Sequence, residues 1–240
     1  MKRTSLLPLL IGLLAAQVPL SAQDTASSPP RRPFSIEVLG GIGLTETSEL
    51  NAILSPRGYP LLQNGSPIAG VGASLTGYQS PSGLMGSAGF HVWMYESVSE
   101  GWWQGMTSVR GSISIGYPFV RTPSFMVYLA GGGTFGTTTV TSTPAEQGNR
   151  VAEEILNDTA GALPPISYQG FNFGLHLDAG INFLFGYDEQ ENSRYLIGLK
   201  AGRAVNVLPT VGTLNGSKVQ DVHPDVPGFY LLLTVGVLYL

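Results

Sequence analysis

Along residues 169–187, QGFNFGLHLDAGINFLFGY, apolar side chains recur at every second position: Phe171, Phe173, Leu175, Leu177, Ala179, Ile181, Phe183 and Phe185. Between them stand Asn172, Gly174, His176, Asp178, Gly180, Asn182 and Leu184. A period of two marks a strand, and this one runs well past the usual ~5–6 residues. Seven other segments carry strand character: 34–44, 67–78, 84–95, 106–117, 123–137, 194–207 and 228–240. No long helical period appears, and after the first residues no apolar run is long enough for a spanning helix.

The connections alternate in length. Short turns (QSPSG, PFVRT and the GYDEQENS stretch) join the second to the third strand, the fourth to the fifth and the sixth to the seventh. The others are joined by pieces of about 22, 10, 31 and 20 residues. An even strand count with short turns at one end and long loops at the other predicts an all-β fold, an eight-stranded antiparallel transmembrane β-barrel, with the short turns and both chain ends periplasmic. An ~11-residue strand at ~3.3 Å per residue, tilted about 45°, covers the ~25 Å apolar band of such a barrel. The 169–185 strand is longer and is expected to project above the membrane.

This topology predicts two aromatic belts. The periplasmic ends carry Phe34, Tyr78, Tyr117, Phe125, Phe183, Phe185, Tyr195 and Tyr239. The outer ends carry Trp93, Tyr95, Phe135, Phe171, Phe173, Phe229 and Tyr230. Rings with a polar edge favour the headgroup level. Small residues such as Gly70, Gly72, Ser74, Ser108, Ser112 and Ser114 fall on the inward parity, as the crowded interior of eight strands requires.

Composition sharpens the picture. Charged residues are 12% of the chain against a usual ~25%. The eight strand segments together hold six: Glu37, Arg110, Asp178, Arg194, Lys200 and Arg203. A secreted soluble barrel of lipocalin type would need charge on its outer face, which these strands do not supply. The N-terminus has Lys2 and Arg3, the apolar LLPLLIGLLAA and small residues before Gln23, so residues 1–22 are expected to be a cleaved signal peptide. Residues 23–33, QDTASSPPRRP, read as a flexible periplasmic linker, and 34–240 as the barrel domain. Without Lys2 and Arg3 the chain keeps 10 basic and 16 acidic side chains, a net charge of −6 that excludes a basic nucleic-acid face. There is no cysteine, hence no disulfide and no Cys-linked lipid anchor.

Candidate chemistry lies on the inward positions. A turn centred near Glu189 would set Asp178 against Lys200, His176 against Gly202 and Asn172 against Asn206. With Glu37 and Arg110 these form a lumen polar network: Glu37, Arg110, His176, Asp178 and Lys200. Charges in a narrow barrel need opposite charges or hydrogen bonds to offset desolvation, so a structural plug is the leading expectation and solute selectivity the second. No serine nucleophile is indicated beside His176 and Asp178. Asp221, His223 and Asp225 alternate in the last loop and have the donor types of a cation site, but such a short cluster is ordinary solvated loop. Gly131–Gly136 matches G-x-G-x-x-G as a string but leads into TTTVTST, where a dinucleotide site needs a helix. No metal and no cofactor is implied. Arg203 falls on the outward parity near an outer strand end, facing lipopolysaccharide phosphate unless a bulge shifts it. Residues 48–54 and 149–156 each read as a short capped helix, and Trp102-Trp103 as interface anchors in the second loop.

On the strand pattern, on ELNAILSPRGYPLL in the first loop and on IGLKAGRAVN in the seventh strand, residues 34–240 resemble the small eight-stranded outer-membrane barrels of Gram-negative bacteria, in the OmpA, OmpX and OmpW manner and of the kind common in Bacteroidetes-type bacteria. Such barrels often finish on Phe, whereas this chain reads Val237-Leu238-Tyr239-Leu240, an altered assembly signal. The resemblance implies residence in the bacterial outer membrane and, as partners, its lipids and lipopolysaccharide, the barrel-assembly machinery, and an external ligand or surface at the loops. Three functions are open. The first is a non-enzymatic structural or surface barrel acting through loops 45–66, 138–168 and 208–227. The second is a narrow passive channel for small or apolar solutes. The third is a lipid-modifying enzyme dependent on His91, His176 or His223.

Overall fold

A computed structural model describes residues 33–78, 83–99, 101–144, 165–188, 192–207, 211–220 and 225–240. They form strands β1 (Phe34–Glu46), β2 (Pro67–Tyr78), β3 (Met85–Ser99), β4 (Trp102–Arg121), β5 (Phe125–Pro144), β6 (Ile166–Asp188), β7 (Ser193–Asn206), β8 (Val211–Leu214), β9 (Ser217–Gln220) and β10 (Asp225–Tyr239), with a helix α1 (Ser48–Leu54) after β1. Strands β1 to β7 pair in chain order, β10 pairs with β7, and β10 returns to β1, all antiparallel. These eight close a barrel and correspond to the eight sequence segments. Closure leaves no free edge in the wall, the condition for placing a sheet in hydrocarbon. The expected signal peptide and all of the linker but Pro33 lie outside the described residues, as does the expected helix 149–156.

The outer face is apolar. Val38 is 64% exposed, Ile113 62% and Leu177 65%, while Asp178, next to Leu177, is 5% exposed. On β6 the apolar outward run from Phe171 to Phe185 climbs about 33 Å at ~3.3 Å per residue and ~45° tilt, enough for the apolar band and its aromatic borders. Water cannot favour this arrangement of greasy wall and polar interior, but lipid does.

The sequence pattern and the folded chain differ at three places. Opposed residues of β6 and β7 run Asp178↔Gly202, Gly180↔Lys200 and His176↔Ala204, two residues from the expected register. Asn206 lies opposite Gly174 rather than Asn172. The β6–β7 connection spans 189–192, so its centre falls beyond Glu189, and a bulge between Phe185 and Tyr187 shifts the pairing again. Gly186 sits in that bulge at φ +59°, a conformation side chains resist. The displacement is even, so every side chain keeps its face. Second, the loop expected between β3 and β4 is strand almost to its tip. Ser99 opposes Trp102, and Trp102 and Trp103 belong to β4. Third, Tyr78 and Trp93 are buried, and Tyr95 and Tyr230 pack with the interior clusters, so these four leave the expected belts. Phe34, Tyr117, Phe135, Phe171, Phe173, Phe183, Phe185, Tyr195 and Phe229 are exposed on the wall.

The wall is lopsided. Strands β4 and β5 have 20 residues each and β6 has 23, against 13 in β1, 12 in β2 and 14 in β7. The longer strands rise past the outer aromatic row, and the β8–β9 hairpin extends their sheet by pairing with Tyr168–Phe171 of β6. Its turn, Asn215-Gly216, has positive φ at both residues, the backbone that matches strand twist in a two-residue hairpin.

Candidate functional site

The lumen is filled in three layers. At the short-turn end Tyr78, Met85, Met126, Tyr128, Ala130 and Leu238 form a buried apolar cluster. At the long-loop end the first loop turns inward. Leu50 and Leu54 of α1, each 1% exposed, and Leu62 pack on Trp93, Met106, Val140, Ile166 and Tyr168 of the wall. The loop is held by its own side chains. Asn51 donates from Nδ2 to the Leu62 carbonyl (2.7 Å) and accepts from the Leu62 N–H at Oδ1 (2.8 Å), as a neighbouring strand would. Thr47 adds a hydroxyl bond to the same carbonyl, and its N–H donates to Asn64 Oδ1. Asn51→Ala is expected to free this cap without opening the wall. Trypsin cleavage after Arg57 should rise about tenfold, the worth of one or two hydrogen bonds, with the folded gel band retained. Unchanged cleavage would show that the cap is held by its leucines alone.

Between the apolar layers lies the polar one. Glu37 (3% exposed) accepts hydrogen bonds from Ser35 Oγ (2.6 Å) and Ser74 Oγ (3.2 Å). Asp178 accepts from the Tyr230 hydroxyl at Oδ1, and its Oδ2 lies 3.6 Å from His176 Nε2. Arg110, His176, Asp178 and Lys200 line one cavity of about 40 Å³, together with His91, Trp93 and Tyr230. A cavity of that size takes a few waters, at ~10–15 Å³ each by this measure. Of the five residues assigned to the network, four therefore meet around one space. Glu37 stands apart with its serines, linked to that space through Ser74, which also lines it. Hydroxyl pairs extend the layer both ways: Ser87 with Ser114 (2.5 Å) toward the short turns, and Thr138 with Ser108 (3.2 Å) and Asn172 Nδ2 donating to Thr138 (2.7 Å) toward the long loops.

His91, Trp93 and Tyr230 line the cavity without having been assigned to the lumen network: His91 was named for the enzyme reading alone, and Trp93 and Tyr230 were placed in the outer belt. Around Tyr230 the run YLLLTV is apolar on both parities, so periodicity cannot orient it; its pairing with Gly202 does. There was a usable signal, since inward glycines seat rings of the neighbouring strand. Trp93 lies over its partner Gly70, Tyr128 over Gly180 and Tyr230 over Gly202. Gly70, read as a small residue of a crowded interior, is such a seat.

No known family description and no curated protein matches this sequence. A major outer membrane protein from Thermus thermophilus is similar in structure, at 12% identity and TM-score 0.50, covering 87% of this chain and 98% of that one. Two more solved structures are similar: neisserial surface protein A (10%, TM-score 0.43, 86% and 96%) and Ail, the attachment invasion locus protein of Yersinia pestis (13%, TM-score 0.44, 87% and 99%). This is a barrel of the outer-membrane type. At such identities the likeness speaks to fold alone, and the apolar wall adds the physical reason for a membrane setting.

On the outer wall Arg203 keeps the outward parity, its guanidinium 4.8 Å from the centre of the Phe229 ring, a cation–π contact at the outer rim. Residues 221–224, including Asp221 and His223, lie outside the described residues, and the described ones hold no group of metal-ligating side chains.

Proposed function

We infer that this chain is a non-conducting, non-enzymatic barrel of the bacterial outer membrane that works through its extracellular sheet and loops. One observation carries the inference: the polar lumen is closed by packed apolar layers at both ends. A solute path would need a continuous wet column, and Leu50, Leu54 and Trp93 occupy one end while Tyr78, Met126 and Tyr128 occupy the other. The same closure argues against catalysis at His176 and Asp178, because a substrate has no way in. Charges there are better understood as a polar plug whose hydrogen bonds fix the register of the wall.

The surface role requires that the tall side of the barrel face outward from the cell. An epitope inserted between Asn215 and Gly216 is expected to bind antibody on intact cells. The same epitope between Pro123 and Ser124, in the short turn after β4, is expected to bind only after the outer membrane is permeabilised. The reverse pattern would place the tall sheet in the periplasm and end the proposed surface role.

A further inference from the structure

Above the outer aromatic row, the exterior of the tall sheet changes character. On β5 the outward positions run Phe135, Thr137, Thr139, Thr141 and Thr143. Cross-strand pairing turns this column into rows. Thr107, Thr139, Gln169 and Thr213 stand side by side across β4, β5, β6 and β8. One step higher stand Glu96, Gly105, Thr141 and Ser167. Trp103 lies down over Gly105, with ring carbon Cη2 2.6 Å from where a glycine Cβ would be. A groove of about 310 Å³ runs here, lined by Met94, Glu96, Trp103, Thr107, Thr139 and Thr141. That is the low end of small-ligand clefts, ~300–1,000 Å³.

We propose that this face binds the saccharide of the glycolipids surrounding the barrel in the outer leaflet. Three features select that partner. The face is continuous with the lipid-facing wall: Thr137 is flanked by Val109 and Phe171, so the hydroxyl rows begin where the apolar band ends and stand at the height of lipid-borne sugars. It offers hydroxyls, an amide and one carboxylate, with no cation among the described residues that line the groove, which suits neutral sugar hydroxyls and not phosphate. Trp103 offers a flat apolar surface to the C–H face of a sugar ring. Arg203, the cation on the outer wall of β7, stands outside these rows.

The proposal rests on the outer-membrane setting but not on whether the lumen conducts. The test uses the full chain in phospholipid nanodiscs doped either with a full-length bacterial glycolipid or with the same glycolipid stripped to its phosphorylated, acylated base. Both leaflets carry the dopant, so the outcome does not depend on orientation. Full-length glycolipid is expected to raise the unfolding temperature several degrees above the stripped one. The triple substitution Thr107→Val, Thr139→Val, Thr141→Val keeps shape and strand preference and should bring the two temperatures within about one degree. Trp103→Leu, which leaves every hydroxyl in place, should reduce the difference and decides the matter if the triple variant does not fold. Equal temperatures for the unaltered chain in the two glycolipids, or a difference that survives the substitutions, overturns the proposal.

Discussion

Gly132→Val is expected to prevent the barrel from folding, while Gly133→Val, one residue on, is expected to be nearly neutral. At Gly132 a Cβ would sit 2.6 Å from Ser114 Cα and 2.8 Å from the Ile113 carbonyl carbon of β4. Those are backbone atoms in a paired strand, so nothing can swing aside, and the β4–β5 ladder must part. Overpacking of side chains costs about 1–3 kcal/mol; displacing backbone in a closed sheet should exceed about 4 kcal/mol, the range reserved for severe defects. Gly133 points to lipid, and the one atom near its Cβ position is the Gly174 carbonyl oxygen at 4.0 Å. Urea unfolding in lipid vesicles, followed by the heat-modifiable gel band, checks the pair. Similar losses at both positions would mean that the wall's inner and outer faces are misassigned.

Asp178→Ala is the second large effect. In the polar layer the carboxylates Glu37 and Asp178 stand with the cations Arg110 and Lys200. Removing one carboxylate leaves a buried positive excess and strips the Tyr230 hydroxyl of its acceptor. Breaking a buried pair from one side costs about 3–5 kcal/mol, and a loss of that size in the unfolding free energy is expected. Tyr230→Phe should cost less, about 1–2 kcal/mol, because it removes a neutral donor. The double variant should fall short of the sum, since both substitutions delete the same bond. Strict additivity would show that the Tyr230–Asp178 bond contributes nothing.

These effects also mark where the sequence was legible. Alternation in β6 placed Asn172, His176, Asp178 and Asn182 inside, and each is buried. The same alternation placed Arg203 outside, against Phe229. Parity is read from the strand's own alternation and needs no knowledge of its partner. Register depends on the partner: the β6–β7 turn is centred past Glu189, the bulge at Gly186 takes back one residue, and the net shift sets Lys200 opposite Gly180 without turning Lys200 or Asp178 from the lumen. Rings at strand ends misled for a related reason: a tyrosine or tryptophan suits a headgroup belt and a glycine seat equally well. Only the cross-strand partner distinguishes them, and Trp93 opposite Gly70 shows how. Asn215-Gly216 carries a hairpin-turn signal that the reading of 208–227 as one long loop passed over. The inward fold of the first loop was not legible, since ELNAIL announces an amphipathic helix but not what lies beneath Leu50 and Leu54.

The closed lumen is tested most directly by single-channel recording of the full chain, refolded and inserted in a planar bilayer. The packed layers at both ends predict a folded protein that stays silent at all applied voltages. Discrete conductance steps, altered in ion selectivity by Lys200→Glu, would contradict the closed barrel and make the Asp178 and Lys200 layer a filter.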